Sequence, residues 1–276
     1  MPITDEEIAE LKRISKKNRI DTVEVTGWCG GSHIGGSLSM MDLVTILYWR
    51  YLEIRPEDPE WDERDRFVLS KGHGGVGHAV VLANRGYYDA EQLKDFNKTG
   101  SPFGMHLDGN KVLGVDVSTG SLGHGMSMAL GLALGARVRK MPWLTYCVVG
   151  DGECNEGSIW EAAMAAAHYK TGNLIVLVDR NRMMIDGPTE EVMALEPLAD
   201  KWRAFGWEVR ETDGHDFRQL ADAIDYAIAY EDGPVVIICN TIKGKGVDFM
   251  ENDPAWHYGG LSAELVRKAK ASLERE

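Results

Sequence analysis

The chain has 276 residues, of which 44% are hydrophobic and 26% charged, and this ordinary composition excludes a disordered chain, a collagen-like repeat and a coiled coil. With 30 basic and 43 acidic side chains the net charge is −13, which argues against nucleic acid or an anionic membrane as the main partner. Apolar runs are too short to span a bilayer, and residues 1–10 lack the apolar core of a signal peptide. The 4 cysteines form no CxxC pair. We therefore expect a reduced, cytoplasmic protein.

Helices dominate the predicted elements of the first half. Apolar side chains recur at helical spacing over 5–25, 39–51, 77–85 and 122–140, whereas residues 65–70 form a short predicted strand. The helix predicted over 122–140 is rich in glycine, alanine and methionine. Such small and adaptable side chains indicate close packing against a neighbour, so this helix is a plausible part of a subunit interface.

The second half alternates apolar strands with helices. Strands are predicted at 144–149, 174–179, 207–210 and 235–240, and helices at 156–170, 195–205 and 216–230. Within the helix predicted over 156–170, Ser158 and Glu161 have the spacing of a capping box. Continuous apolar strands separated by helices are typical of a parallel sheet covered on both faces. We therefore predict a single α/β domain over 1–276, with a doubly wound, mostly parallel sheet. Ligands of such sheets bind beyond the carboxyl ends of the strands.

Two hard oxygen ligands follow two of these predicted strands. Asp151 comes directly after the strand that ends at Val149, and Asn181 comes directly after the strand that ends at Asp179. Carboxylate and amide oxygens are the ligands that Mg²⁺ prefers, and it completes its shell with phosphate and water. A tight turn and a helix cap would explain either residue alone, but the two together at neighbouring strand ends favour a metal site.

Several motifs, in order along the chain, resemble the N-terminal, thiamine diphosphate-binding half of transketolases. They are GSHIGGSLSMMDL at 31–43, RFVLSKGHG at 66–74, GVDVSTGSLGHG at 114–125, GDGECNEG at 150–157, EAAMAAAHYKTGNLIVLVDRN at 161–181, MMIDG at 183–187 and KGKGVDFMENDPAWH at 243–257. A full-length transketolase is more than twice as long and also carries a pyrimidine-binding domain and a C-terminal domain. The chain therefore resembles the N-terminal subunit of a split transketolase.

The resemblance implies a cofactor, a metal and the residues that hold them. The cofactor is thiamine diphosphate, with Mg²⁺ or another divalent cation such as Ca²⁺ or Mn²⁺. The implied metal ligands are Asp151, Asn181 and the backbone carbonyl of Met183. The implied cofactor-binding residues are His73, Gly120, Ser121, Leu122, Gly150, Asp151, Gly152, Glu153, Asn181 and His257.

Four histidines match positions where transketolases place active-site histidines. They are His33, His73, His106 and His257, which we take as candidate catalytic residues. Imidazole suits proton transfer because its unperturbed pKa of about 6.5 lies near neutrality. We expect His33 and His257 to move the hydroxyl proton during carbon–carbon cleavage, and His73 and His106 to contact cofactor or substrate. The chain departs from the family at His106, where Gly-His-Pro is common, and at His124, where glutamine is common.

The resemblance also implies a reaction and a partner. A transketolase transfers a two-carbon ketol group from a ketose phosphate to an aldose phosphate. The glutamate that activates the cofactor lies on the pyrimidine-binding domain, so we expect a C-terminal partner subunit, as an α2β2 assembly. Glu156 matches an interface carboxylate network that couples two active sites, although stabilisation of a helix N-terminus explains it equally well.

Other interpretations remain open. One alternative is a related split thiamine enzyme that acts on another ketose, such as a sulfo- or deoxy-sugar, or that resembles deoxyxylulose-phosphate synthase. Another is a non-catalytic cofactor-binding module, which would not need the set of histidines. Gly72, Gly74 and Gly77 fit a dinucleotide fingerprint with Asp89 and Glu91 downstream, but the preceding strand is short. His73 and His78 are spaced for a shared zinc ion, but no cysteine lies near them.

Overall fold

A five-stranded, entirely parallel sheet forms the centre of the computed structural model, which describes residues 2–275. The strands are β1 (Arg66–Leu69), β2 (Thr145–Gly150), β3 (Leu174–Arg180), β4 (Glu208–Asp213) and β5 (Val235–Asn240). Their order across the sheet is β1-β2-β3-β5-β4, and each neighbouring pair is parallel. The predicted α/β architecture is confirmed.

Ten α-helices surround this sheet in the part of the chain that the structure describes. They are α1 (Asp5–Cys29), α2 (Ile34–Ser39), α3 (Met41–Ile46), α4 (Gly75–Arg85), α5 (His124–Arg139), α6 (Gly157–His168), α7 (Thr189–Val192), α8 (Leu198–Ala204), α9 (Phe217–Ala229) and α10 (Ala263–Arg275). A π-helix (Leu47–Tyr51) continues α3, and four short 3₁₀ segments lie at Gly72–Gly74, Ala90–Asp95, Gly152–Asn155 and Pro254–His257. No helix within residues 2–275 combines the length and the apolar character needed to cross a membrane.

Alternate residues of the central strands enter different cores, which makes the sheet doubly wound. Ile175 and Leu177 of β3 pack with α1, α3, α4 and α9 on one face. Val176 and Val178 of the same strand pack with α5, α6 and α8 on the other face, around the buried Trp202. Both faces are therefore apolar, which explains why the sequence of β3 is a continuous apolar run.

The structure differs from the sequence prediction at four elements. The helix predicted over 39–51 is divided at Met40, and α2 begins already at Ile34. Strand β4 lies at the sheet edge and extends to Asp213, beyond its predicted end at residue 210. Polar side chains on its exposed face interrupt the apolar pattern from which the end of a strand is predicted. Ser158 and Glu161, expected as a capping box, form no side-chain cap on α6. Helix α10 was not predicted and packs against α1 in a small separate core.

Two glycines on α5 provide a test of how tightly this helix is seated on the sheet. A Cβ atom on Gly125 would lie 2.5 Å from the Cα of Ser70, whereas one on Gly131 would meet nothing within 4 Å. We expect Gly125→Ala to lower the free energy of unfolding by about 1–3 kcal/mol, as overpacking does. Gly131→Ala is the matched control and should raise it by about 0.5–1 kcal/mol, because alanine favours a helix. Urea unfolding measures both, and equal effects would contradict this packing.

Candidate active site

A cavity of about 260 Å³ opens at the carboxyl edge of the sheet, between the ends of β2 and β3. It is lined by His33, Gly36, Lys71, Gly72, His73, His106, Thr119, Gly120, Leu122, Gly150, Asp151, Gly152, Glu153, Asn181, Met183, Met184, Ile185, Lys243 and His257. All of the predicted site residues except Ser121 are among them. A groove of about 760 Å³ runs along α1, and none of the residues that line the cavity lines it.

Asp151 stands at the floor of the cavity, where β2 ends. Its carboxylate is 2% exposed; one oxygen accepts from the backbone amide of Gly152 at 2.7 Å, and the other accepts from Arg180 at 2.9 Å and from the amide of Arg182 at 2.6 Å. Burial and the neighbouring Asp179 carboxylate raise the pKa of Asp151. The site therefore contains negative charge that a bound cation would stabilise.

Asn181 and Met183 lie beside Asp151, because β2 and β3 are neighbours with Gly150 opposite Asp179. The Asn181 side chain accepts from the Met183 amide at 3.1 Å, and this turn passes through Arg182 in the left-handed region at φ 63°. Asp151, Asn181 and Met183 thus line one cavity, where they offer a carboxylate, an amide oxygen and a main-chain carbonyl as donors. That donor set is all oxygen, which fits Mg²⁺, Ca²⁺ or Mn²⁺ rather than a softer metal.

The four candidate histidines form one cluster above this floor. The ring centroid of His33 lies 5.3 Å from that of His73, 6.0 Å from that of His106 and 5.3 Å from that of His257. His73 and His257 are stacked at 5.5 Å. These residues come from four distant parts of the sequence, so the fold alone brings them together.

Burial and nearby positive charge keep this cluster neutral. Burial, with contributions from His106 and Lys243, lowers the pKa of His33 to about 4, and burial together with Lys243 lowers that of His257 to about 3. Burial and Lys71 lower the pKa of His73 well below its ordinary value. The cavity therefore presents neutral imidazoles at pH 7, and each has one nitrogen able to accept a proton.

Two buried lysines in the cavity were missed by the sequence analysis. Lys71 is 1% exposed and donates to Asp179 at 2.5 Å and to the carbonyl of Gly36 at 3.0 Å. Lys243 is equally buried, and its ammonium lies 2.9 Å from His257 Nδ1 and 3.1 Å from the Met184 carbonyl. Burial and Lys71 lower the pKa of Lys243 to about 8. Their only sequence signal is that each flanks glycines within a motif, at SKGHG and KGKG.

Glu153 connects two turns of the site. One carboxylate oxygen accepts from Ser70 at 2.5 Å and from the Gly123 amide at 2.9 Å, and the other accepts from the Gly150 amide at 2.9 Å. Gly150 is the last residue of β2, and Gly123 ends the turn that precedes α5. We infer that Glu153, predicted as a cofactor-binding residue, acts by holding these two turns together.

Several other residues singled out in the sequence lie outside the cavity. Ser121, His124, Glu156 and Glu161 are exposed. His78 is buried elsewhere, with its Nε2 2.8 Å from the Tyr48 hydroxyl, and so points away from His73. Two further candidates serve local structure, since Asp89 caps the 3₁₀ segment Ala90–Asp95 and Glu91 pairs with Lys94.

Comparisons with known proteins agree with this geometry. The family described as "Transketolase, thiamine diphosphate binding domain" matches residues 10–276. A 6-deoxy-6-sulfo-D-fructose transketolase subunit, SqwG, from a Clostridium species is 45% identical over 92% of this chain and 93% of its own length. One of the subunits of apulose-4-phosphate transketolase from Phocaeicola vulgatus is 41% identical, over 95% of this chain and 93% of its own.

Solved structures give the same result. Transketolase from Leishmania mexicana superposes on 96% of this chain with a TM-score of 0.90 and 30% sequence identity. The chain covers 41% of the length of that protein, so it corresponds to the thiamine diphosphate-binding part of a longer polypeptide. Sequence family, fold and relatives of matching length all agree, and the chain therefore belongs to the transketolase family.

Proposed function

We propose that this chain is the thiamine diphosphate-binding subunit of a split transketolase. The assembled enzyme is a transferase that moves a two-carbon ketol group from a ketose phosphate to an aldose phosphate. One observation carries the proposal: the oxygen donors Asp151, Asn181 and Met183 and the four-histidine cluster line the same cavity. The transketolase subunits named above support it, because they match this chain over about nine tenths of their own length.

The cavity residues divide into a metal-binding floor and a cofactor cradle. In this proposal Asp151, Asn181 and the Met183 carbonyl hold Mg²⁺. Together with the metal, the backbone of Gly150 and Gly152 would hold the cofactor diphosphate, and His73 and His257 would contact it. Gly120 and Leu122 would contact the aminopyrimidine. Bound there, thiamine diphosphate supplies the electron sink that carbon–carbon bond cleavage requires.

His33 is suited to accepting a proton, and His257 is suited to donating one. His33 lines the cavity as a neutral imidazole, so one of its ring nitrogens can accept a hydroxyl proton. His257 Nδ1 lies 2.9 Å from the ammonium of Lys243, which can only donate, so the His257 proton resides on Nε2. We propose that His33 accepts and His257 donates, while His73 and His106 orient cofactor and substrate.

A partner chain would complete this half-site. The proposed single domain corresponds to about two fifths of the solved transketolases, and we propose that pyrimidine-binding and C-terminal domains lie on a second cytoplasmic polypeptide. Apolar side chains are exposed on the helices α5 and α6 and on the turns beside them, at Leu122, Met128, Val138, Met164 and Tyr169. Such a surface favours an interface, which we propose belongs to an α2β2 assembly.

Reconstitution tests the function. The chain is purified with the polypeptide encoded beside it and assayed for ketol transfer from xylulose 5-phosphate to ribose 5-phosphate. We expect turnover only when both chains, thiamine diphosphate and Mg²⁺ are present, because each chain holds half of the active site. Turnover by this chain alone would contradict the proposal. If the complex binds the cofactor but acts only on 6-deoxy-6-sulfo-D-fructose, the donor sugar in the proposal is wrong and the ketol-transfer reaction stands.

The neutral histidines predict a pH dependence of stability. The pKa values of His33 and His257 are about 4 and about 3 when folded, below the ordinary value of about 6.5. The unfolded chain therefore binds more protons than the folded chain below pH 6.5, and the free energy of unfolding falls as the pH falls from about 6.5 to about 4.

Removal of these titrating groups should flatten that profile. We expect the cofactor-free double variant His33→Asn/His257→Asn to lose less thermal stability than the wild type between pH 7 and pH 5. His168→Asn, on the exposed end of α6, is the matched control and should follow the wild type. Scanning calorimetry at several pH values measures the difference. Parallel profiles for all three proteins would show that the cluster is not held neutral.

A further inference from the structure

One histidine without a role in the proposed reaction forms a bridge behind the cavity. His215 lies in the loop between β4 and α9, and its ring contacts two groups from distant elements. Its Nδ1 is 2.7 Å from the carboxylate of Asp42 on α3, and its Nε2 accepts from the backbone amide of Ile242 at 2.9 Å. It does not line the cavity, although the segment that it holds does.

The two contacts fix the protonation pattern of the ring. A backbone amide can only donate, so Nε2 of His215 carries no proton and Nδ1 carries the proton that is donated to Asp42. Asp42 is itself held, since it accepts from Arg19 at 2.7 and 2.9 Å and from Ser15 at 2.5 Å. Burial alone would raise the pKa of Asp42, but the charge of Arg19 and the bond from His215 bring it below its usual range. Asp42 thus remains an ionised acceptor.

The Ile242 amide belongs to a segment that has just left the sheet. Strand β5 ends at Asn240, and the third residue after it, Lys243, lines the cavity. Thr241 donates through its hydroxyl to Asp179 at 2.5 Å, and Lys243 reaches His257 and the Met184 carbonyl. Ile242 lies between them, so the bond to His215 fixes the backbone from which Lys243 extends.

We propose that His215 is a positioning residue, which holds Ile242 so that the Lys243 ammonium reaches His257 on the cavity wall. Asp42 sets the tautomer of His215, and Arg19 and Ser15 hold Asp42. These contacts therefore connect α1 and α3, on one face of the sheet, with His257, the proposed proton donor. This inference rests on the proposed function, because it assigns His257 its place in that site. Outer-shell contacts of this kind typically change affinity or activity about 10–100-fold.

Asparagine and glutamine separate the two contacts of His215. The amide of Asn occupies the position of Nδ1, so His215→Asn keeps the donor to Asp42 and loses the acceptor for Ile242. The amide of Gln occupies the position of Nε2, so His215→Gln keeps the acceptor for Ile242 and loses the donor to Asp42. A positioning role predicts a defective Asn variant and a Gln variant close to wild type. If His215 served only as a donor to Asp42, the Gln variant would be defective and the Asn variant would be close to wild type.

The readouts are local and do not require turnover. Amide hydrogen exchange at Ile242 and the ¹⁵N chemical shifts of the His257 ring are measured by NMR on the full chain. In His215→Asn we expect Ile242 to exchange at least about 10-fold faster, because its acceptor is lost. The His257 Nδ1 resonance should also shift, because Lys243 moves away. Thiamine diphosphate affinity with Mg²⁺ should fall about 10-fold in His215→Asn and remain within about 3-fold in His215→Gln.

Three results would overturn the proposal. They are unchanged Ile242 exchange in His215→Asn, an unchanged His257 resonance in that variant, and equal acceleration of exchange throughout α1 and α3, which would indicate a general loss of stability. Failure of the proposed function is distinguishable. In that case the wild-type chain would not bind thiamine diphosphate, while the exchange and the His257 resonance would still decide the role of His215.

Discussion

The register of the parallel sheet is the constraint on which the site depends. Gly150 lies beside Asp179 because β2 pairs with β3, and Arg180 lies beside Asn240 because β3 pairs with β5. The residues that follow each strand therefore emerge at one edge, whatever their separation in the sequence. Asp151 and Asn181 supply oxygens there, while Lys243 and the four histidines reach the same cavity from other parts of the chain. A shift of one residue in this register would turn the strand-end side chains away from the cavity.

Buried charge makes this edge suitable for an anion in a chain with a net charge of −13. Lys71 pairs with Asp179, whose pKa is lowered by the lysine despite burial, and Lys243 stands next to neutral His257. The lowered pKa of Lys243 indicates that its positive charge is not fully compensated. A diphosphate with its metal would compensate the lysine and the Asp151 carboxylate together. Local charges thus outweigh the net charge of the whole chain.

Sequence patterns predicted the sheet and most of the candidate site, and they failed where tertiary placement decides. Strand β5 ends at Asn240 as predicted, because a buried strand is a continuous apolar run and its end is easily recognised. The predicted end of the polar edge strand β4, by contrast, lies before its observed end at Asp213. Helix α10 was not predicted, although Leu265, Val266, Ala269 and Leu273 recur at helical spacing. Lys71 and Lys243 were missed because lysine is usually exposed, and only the fold shows that both are buried.

We propose that Asp151, Asn181 and the Met183 carbonyl hold the metal that binds the cofactor diphosphate. Crystals of the chain, grown with its partner, thiamine diphosphate and Mn²⁺, test it most directly. Anomalous diffraction locates Mn²⁺ independently of any assumption about the site. We expect one strong anomalous peak in contact with all three oxygens and with the diphosphate. A peak elsewhere, or a bound cofactor with no metal beside Asp151, would contradict it.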